Sequence, residues 1–357
     1  MMTLDLDVRT KAAVDLLKQM IEIPSVSRDE SAVADLIYNY LQKEGMNPKR
    51  QGNNVWCVDP NFDPKKPTLL LDAHIDTVKP VSAWSRDPFK ATVEGDCIYG
   101  LGSNDDGGSV VALMQVYKTL TGTPQPYNLV YSASCEEEVS GKNGLESVLP
   151  LFPSISVALV GEPTDMQPAI AEKGLMVLDI TAYGKAGHAA RNEGENAIYK
   201  ALDDIRWIRD FHFEQESSLL GPVKMTVTVL QSGTQHNVIP DKCTFVVDVR
   251  SNEFYSNRDI YDYVCLHLDS EVKARSFRLN SSRIEITHPM VVRAKEMGMR
   301  PFGSPTLSNQ ALMPFPSMKL GPGSSSRSHT ADEYIKISEI DQAIRIYLEL
   351  LDGLVLE

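Results

Sequence analysis

Cysteine is scarce in this 357-residue chain. Cys57, Cys97, Cys135, Cys243 and Cys265 are scattered, odd in number and without a CxxC pair. That argues against a disulfide framework and against a thiolate-held zinc site. No apolar run approaches the roughly 20 residues that a membrane-spanning helix needs. The opening MMTLDLDVRTKAAVDLL has neither the basic n-region nor the apolar h-region of a signal peptide. Positive charge is in deficit: 35 Lys and Arg against 48 Asp and Glu leave a formal net charge of −13, the wrong sign for nucleic acid or an anionic membrane. Internal repeats, low-complexity tracts and long flexible linkers are absent too. What remains, 42% hydrophobic and 23% charged residues, is ordinary for a globular protein. The expectation is a soluble, reduced, cytoplasmic protein with no nucleic-acid or membrane partner. Its length exceeds what one compact core usually holds, so two domains are expected.

Helix and strand patterns alternate through the first half. Val8, Ala12, Leu16 and Met20 have helical spacing over residues 8–21. SAVADLIYNYLQKEG forms a second helix, with Val33, Leu36, Ile37, Tyr40 and Leu41 on one face and Gly45 as its stop. NVWCVD, TLLLDAHI, YNLVYSAS and SVALVGEP read as strands, with the helix SVVALMQVYKTL between the second and third. This is α/β organisation with a mostly parallel sheet. From about Gly174 the texture changes to GLMVLDITAYG (strand), ENAIYKALDDIRWIRDF (helix), VKMTVTVL and CTFVVDVR (strands), NRDIYDYVCLHL (helix) and RIEITHP (strand). The β-α-β-β-α-β order is that of a ferredoxin-like unit. The expected division is therefore 1–173 with 288–357, and an inserted α+β domain over 174–287. HPMVVRAKEMGM resumes helix, and SEIDQAIRIYLELLDG closes the chain with Ser338 as N-cap.

Acids and histidines gather at the ends of the apolar strands. In extended chain, residues two apart point the same way, so His74 and Asp76 of LLLDAHIDTV share a face at a strand end. A core histidine satisfied by a neighbouring carboxylate is the plain alternative. Asp105 stands before a helix, YNLVYSAS runs into Glu136-Glu137-Glu138, SVALV runs into Glu162, and His329 lies in GPGSSSRSHTADE. Crowded carboxylates raise one another's pKa, a conflict that a dication resolves. Nitrogen and carboxylate ligands without thiolate suit zinc, with manganese or cobalt as substitutes. In a set of His74, Asp105, Glu138, Glu162 and His329, three carboxylates and one hydroxide neutralise two dications. One carboxylate can bridge the ions. Charge counting alone does not select these five from the acids present.

Competing motifs are weak. GLGSND has Asp105 where a dinucleotide fingerprint needs its third glycine, and no GxSxG elbow occurs. Cys135 lacks a basic partner and reads as a structural thiol. His212 and His267 fall within or at the ends of helices in the inserted domain and read as structural, while His236 and His288 are unassigned.

The motifs IEIPSVS, DAHIDTV, GLGSNDDGG, EEEVSGKNG, VGEPT, GKAGHAA, GTQHNVIPD, DVR and GPGSSSRSHTADEY occur in this order along essentially the whole chain. In them the sequence resembles the dizinc aminoacylase and carboxypeptidase-type metallohydrolases, particularly acetylornithine deacetylase and succinyl-diaminopimelate desuccinylase. The resemblance implies two Zn2+, with Co2+ or Mn2+ as substitutes. It makes His74 and Glu162 ligands of the first ion, Glu138 and His329 ligands of the second, and Asp105 the bridge. Asp76 would hold the His74 imidazole, Glu137 would be the general base, and the Asp105–Asp106 peptide would be cis. The inserted domain would be a lid and homodimer interface, with His188 reaching across the dimer to the oxyanion. Asn237 and Arg250 would contact substrate; for Arg250 a strand-end salt bridge is the alternative.

Three departures bear on the subfamily: Leu101 where relatives often carry arginine, Gly107 where lysine commonly follows the bridging acid, and Ser324 in place of a frequent aspartate. None touches a ligand or the base. The activity implied is hydrolysis of an N-acyl-L-amino acid, N-acetylornithine in arginine biosynthesis first. N-succinylornithine, N-succinyl-diaminopimelate and dipeptides are the alternatives. A succinyl group would want another cation, for which Lys142, Arg191 and Arg327 are candidates. A non-catalytic amino-acid-binding module on this fold would show damage to the ligand set or base, and every expected residue is present.

Overall fold

A computed structural model describes residues 3–191 and 193–356. The chain divides into two units. Met1–Ile170, Ile284–Phe302 and Ser308–Glu357 form the first, and Ala171–Arg283 with Gly303–Leu307 the second.

Four strands, Asn128–Ser134, Thr68–His74, Val157–Val160 and Ser317–Lys319, lie side by side in that order at the centre of the first unit, and each neighbouring pair is parallel. Asn54–Val58 and then Lys49–Gln51 extend the sheet antiparallel beyond Asn128–Ser134. Every residue of Thr68–His74 and Asn128–Ser134 is buried, as a parallel sheet covered on both faces demands. One face carries the helix Gly108–Leu120, where the Tyr131 hydroxyl donates to the Val110 carbonyl at 3.0 Å. The helices Thr3–Ile21 and Ile337–Leu351 pack beside it. On the other face Trp56, Leu70, Val130, Ala158 and Val160 meet Leu145, Val148 and Phe152. Alternation puts Asp72 and His74 on the side of Leu70, so the histidine emerges where this strand leaves the core.

The helix expected over residues 8–21 is present within Thr3–Ile21, though its spaced residues do not mark one buried face, and one expectation about the last helix is corrected. Val8 is 65% exposed, whereas Ala13, Leu16, Leu17, Met20 and Ile21 are buried. A row spaced by four drifts about 40° per step around a helix of 3.6 residues per turn, so a row that ends on the buried Met20 has turned away from the core by Val8. Ser338 is not the N-cap: the last helix begins at Ile337. The Ser338 N–H donates 3.0 Å to the Asp96 carboxylate, which also takes its hydroxyl. A distant turn thus caps this helix together with Glu339, whose carboxylate accepts the Lys336 N–H at 3.0 Å.

In the second unit, Met176–Tyr183, Ala197–Asp210, Lys224–Ser232, Lys242–Arg250, Asn257–His267 and Glu271–Ala274 follow one another as β-α-β-β-α-β. The strands form an antiparallel sheet in the order Lys224–Ser232, Lys242–Arg250, Met176–Tyr183, Glu271–Ala274. Met176, Leu178, Ile180 and Ala182 alternate inward with Cys243, Phe245, Val247 and Val249, against Ala197, Ala201, Ile208, Ile260 and Val264 of the helices. The closing strand is Glu271–Ala274, not RIEITHP. Glu271–Ala274 buries only Val272, which leaves little apolar signal. Ile284 instead donates its N–H to the Ile170 carbonyl at 3.0 Å, and Ile286 is 50% exposed.

Candidate metal centre

His74 ends its strand almost fully buried. Its Nδ1 lies 2.9 Å from the Asp76 backbone carbonyl and 3.5 Å from the Asp76 carboxylate. Both are acceptors, so Nδ1 carries a proton, and Nε2 is the nitrogen that could bind a metal. Nε2 points at Asp105 Oδ1, 3.1 Å away. Burial opposes a charged imidazole here, yet the Asp105 and Asp76 carboxylates raise the His74 pKa well above its usual value.

Asp76 is completely buried and does more than face His74. It accepts the Ser27 hydroxyl at 2.7 Å, the Glu137 N–H at 3.0 Å and the Glu138 N–H at 3.2 Å. One carboxylate thereby ties the His74 strand to the backbone of the two adjacent glutamates. Just before them the chain turns at Glu136, which has a left-handed φ of 56° and binds Asn143 Nδ2 at 2.9 Å.

The two glutamates lie in a turn, where the Ser140 N–H donates to the Glu137 carbonyl at 2.8 Å, and their side chains join different groups. Oxygens of Glu138 and Asp105 and a His74 nitrogen lie within 4.8 Å of one another, and so do a second set from His74, Glu137 and Glu162. Burial, followed by the charges of Glu162 and Glu138, pushes the Glu137 pKa well above the carboxylate range. Asp105 has backbone angles unlike a helix in the turn Ser103–Gly107, and the Asp105–Asp106 peptide is cis. Burial would raise the Asp105 pKa, but the hydrogen bond and charge of His74, with Ser328 and His329, together bring it below the usual carboxylate value.

His329 completes the cluster from a left-handed position, φ 59°. Its Nε2 is 2.9 Å from Glu138 Oε1 and 3.7 Å from Asp105 Oδ2. The Glu138 hydrogen bond lifts its pKa to about 9. Glu162 follows the Val157–Val160 strand, and close packing sets its loop. A Cβ on Gly161 would stand 2.4 Å from Ser109 Cβ, and one on Gly321 would stand 2.4 Å from the Glu162 carbonyl oxygen.

The structure thus brings together His74, Asp76, Asp105, Glu137, Glu138, Glu162 and His329, all within the first unit. The donor set suits a dication: imidazole nitrogen and carboxylate oxygen only, with the charges of Glu162 and Glu138 adding to burial in raising the Glu137 pKa. Cys135 stays outside it, its thiol directed to the Asn143 carbonyl at 3.6 Å and pushed by burial to about 12. His188, Asn237 and Arg250 belong to the second unit. There the exposed His188 pairs with Val238, and the Asn237 carbonyl accepts the Ala189 N–H at 2.9 Å. Arg250 is held by Asp248 through Nε at 2.8 Å and Nη2 at 3.1 Å.

Among the buried acids of this region that went unassigned in the sequence are Asp72 and Glu333. Asp72 accepts Asn309 Nδ2 at 2.9 Å, and burial lifts its pKa to about 6. Its alternation with His74 and Asp76 was the available signal. Glu333 accepts three backbone N–H groups around Asp105, and nothing local in SHTADEY announces that.

A partly buried donor set of this chemistry, at the carboxyl ends of parallel strands, is one that could hold dications. The chain belongs to peptidase family M20/M25/M40, whose pattern matches residues 70–353. It is 26% identical to the succinyl-diaminopimelate desuccinylase of Corynebacterium glutamicum, over 94% of this chain and 95% of that one. To the acetylornithine deacetylase of Proteus mirabilis it is 25% identical over 98% of both chains. Among solved structures, a dinuclear metal-binding peptidase of the M20 family from Bacillus subtilis superposes with a TM-score of 0.72 at 15% identity, covering 97% of this chain and 98% of that chain. The motif resemblance and the fold class expected from the sequence agree with these likenesses.

Proposed function

We propose that this enzyme hydrolyses the amide bond of an N-acyl-L-amino acid, with N-acetylornithine as first substrate. The observation that carries the reading is the Glu137–Glu138 pair. Asp76 fixes both backbones, and the two side chains join different donor groups, so one can hold a metal while its neighbour handles a proton. His74, Asp105 and Glu162 would hold one ion, and Asp105, Glu138 and His329 the other. Two Zn2+, or Co2+ or Mn2+ in their place, would supply Lewis acidity to the acyl carbonyl and lower the pKa of water from 15.7 to roughly 7.

The chain's own groups do the rest. Asp76 keeps the proton of His74 on Nδ1, leaving Nε2 as the donor. A Glu137 carboxylate oxygen takes the proton from the attacking water and passes it to the leaving amine nitrogen. His188 of a second copy would meet the developing oxyanion, and Asn237 and Arg250 would bind substrate, Arg250 after exchanging Asp248 for the substrate carboxylate. In this reading the second unit is the lid and homodimer interface, and the enzyme serves arginine biosynthesis in the cytoplasm.

N-succinylornithine or N-succinyl-diaminopimelate is the second reading, favoured by the likeness to the Corynebacterium protein. It needs one more cation. Arg327 already gives both Nη atoms to Glu339 at 2.7 Å, which leaves Lys142 and Arg191. Kinetics of the zinc- or cobalt-loaded enzyme on matched acetyl, succinyl and dipeptide substrates separate the readings. A higher kcat/KM for N-acetylornithine supports the first. A preference for a succinyl substrate or a dipeptide overturns it.

A further inference from the structure

Glu333 is a buried carboxylate, 2% exposed, whose place in the fold is unusual. Its Oε1 accepts the N–H of Asn104 at 2.8 Å and of Asp105 at 2.9 Å, and its Oε2 accepts the N–H of Gly102 at 3.0 Å. Its own carbonyl takes the Gly100 N–H at 3.0 Å. Four hydrogen bonds from one residue thus seize the segment that delivers Asp105. Several hydrogen bonds made by one side chain to backbone N–H groups in a dry site hold geometry tightly.

The same residue lies four positions after His329, on the other loop of the centre. Between them Asp332 anchors that loop by accepting the N–H of Ser85 at 3.0 Å and of Arg86 at 3.2 Å. The two loops carry donors that face each other, His329 Nε2 and Asp105 Oδ2 being 3.7 Å apart. A bridging carboxylate must meet two ions at once, so its backbone tolerates little error; site groups need placing to within about 0.5 Å.

We infer that Glu333 is a positioning residue for the metal centre: its carboxylate clamps the Gly102–Asp105 backbone to the His329 loop and so sets where Asp105 bridges. This rests on the metal-binding reading of the site. The role is distinct from a plain loop tie, because it predicts an effect on the bound metal as well as on stability.

The test uses the full-length protein, stripped with chelator and titrated with Co2+. It follows ions bound per chain, dissociation constants and the visible cobalt spectrum. E333Q keeps the size of the side chain but turns one acceptor into a donor facing an N–H. Loss of a supporting partner of a metal ligand typically costs 10–100-fold in metal affinity. Such a loss in E333Q, with a changed cobalt spectrum, is the expected result. D332A removes the neighbouring anchor of the same loop and serves as the structural control: it should lower Tm while leaving affinity and spectrum as in wild type. E333D, which keeps the charge but draws it back by one methylene, should weaken Co2+ binding too, and stands in if E333Q does not fold. Wild-type Co2+ affinity and spectrum in a folded E333Q or E333D would overturn the inference. If wild-type protein itself takes up no Co2+, the metal reading falls first, and the role of Glu333 with it.

Discussion

Replacing Gly321 by alanine separates catalysis from stability. An added Cβ would lie 2.4 Å from the Glu162 carbonyl oxygen, 2.6 Å from Ser109 Oγ and 2.9 Å from the Glu162 nitrogen. Carbon–oxygen contacts settle at about 3.3 Å or more, so the Glu162 backbone must retreat by about 0.9 Å. Gly321 cannot give way instead. Its N–H is bonded to Thr164 Oγ1 at 3.1 Å, and its carbonyl accepts the N–H of Thr164 at 3.2 Å and of Met166 at 3.1 Å. The folding cost is modest. Overpacking costs roughly 1–3 kcal/mol, offset by about 0.4–1 kcal/mol from the stiffer unfolded chain. A net loss of about 1–2 kcal/mol lowers Tm by several degrees, at roughly 2–4 °C per kcal/mol for a domain of this size. Activity should suffer far more, because a 1 Å displacement of a reacting group can cost about 100-fold. Calorimetry, metal content and kcat/KM on the same preparation check this. A G321A enzyme with wild-type kcat/KM would refute the placement of Glu162 in the centre.

Other perturbations have distinct signatures. E137Q should lower kcat by about 10²–10⁴-fold, the usual contribution of a positioned acid–base, with both ions still bound by elemental analysis; residual activity near wild type removes Glu137 as the base. D76N turns an acceptor shared by His74, Ser27, Glu137 and Glu138 into a partial donor, so metal affinity should fall about 10–100-fold, read by competition with a chromophoric chelator. Unchanged affinity means Asp76 only braces the loop. Stripping the ions should lower Tm, since a ligand at 100 times its Kd stabilises the folded state by about 2.7 kcal/mol; identical melting with and without chelator contradicts a metal centre in this unit.

How far the sequence could be read depended on whether a feature was local. The buried strands announced themselves through LLLDAH and NLVYSAS, because a sheet covered on both faces leaves unbroken apolar runs. The polar residues closing apolar runs, His74, Glu137, Glu138 and Glu162, are ones the fold gathers with Asp105, which precedes a helix. Features made by long-range contacts were misread or missed. Ser338 looked like a cap until Asp96, remote in sequence, supplied one. Glu271–Ala274 offers one buried side chain to its sheet, so the more apolar RIEITHP outbid it on pattern alone. Glu333 sits among polar neighbours, and its three N–H partners lie more than 200 residues away.

The most direct measurement is hydrolysis of N-acetylornithine by chelator-stripped enzyme as Co2+ is added back. N-succinylornithine is run in parallel, and bound ions are counted at each point. The account predicts no turnover without metal, activity that grows as the centre fills to two ions per chain, and faster cleavage of the acetyl substrate. Turnover in the stripped enzyme, or a chain that binds no cobalt, would contradict it.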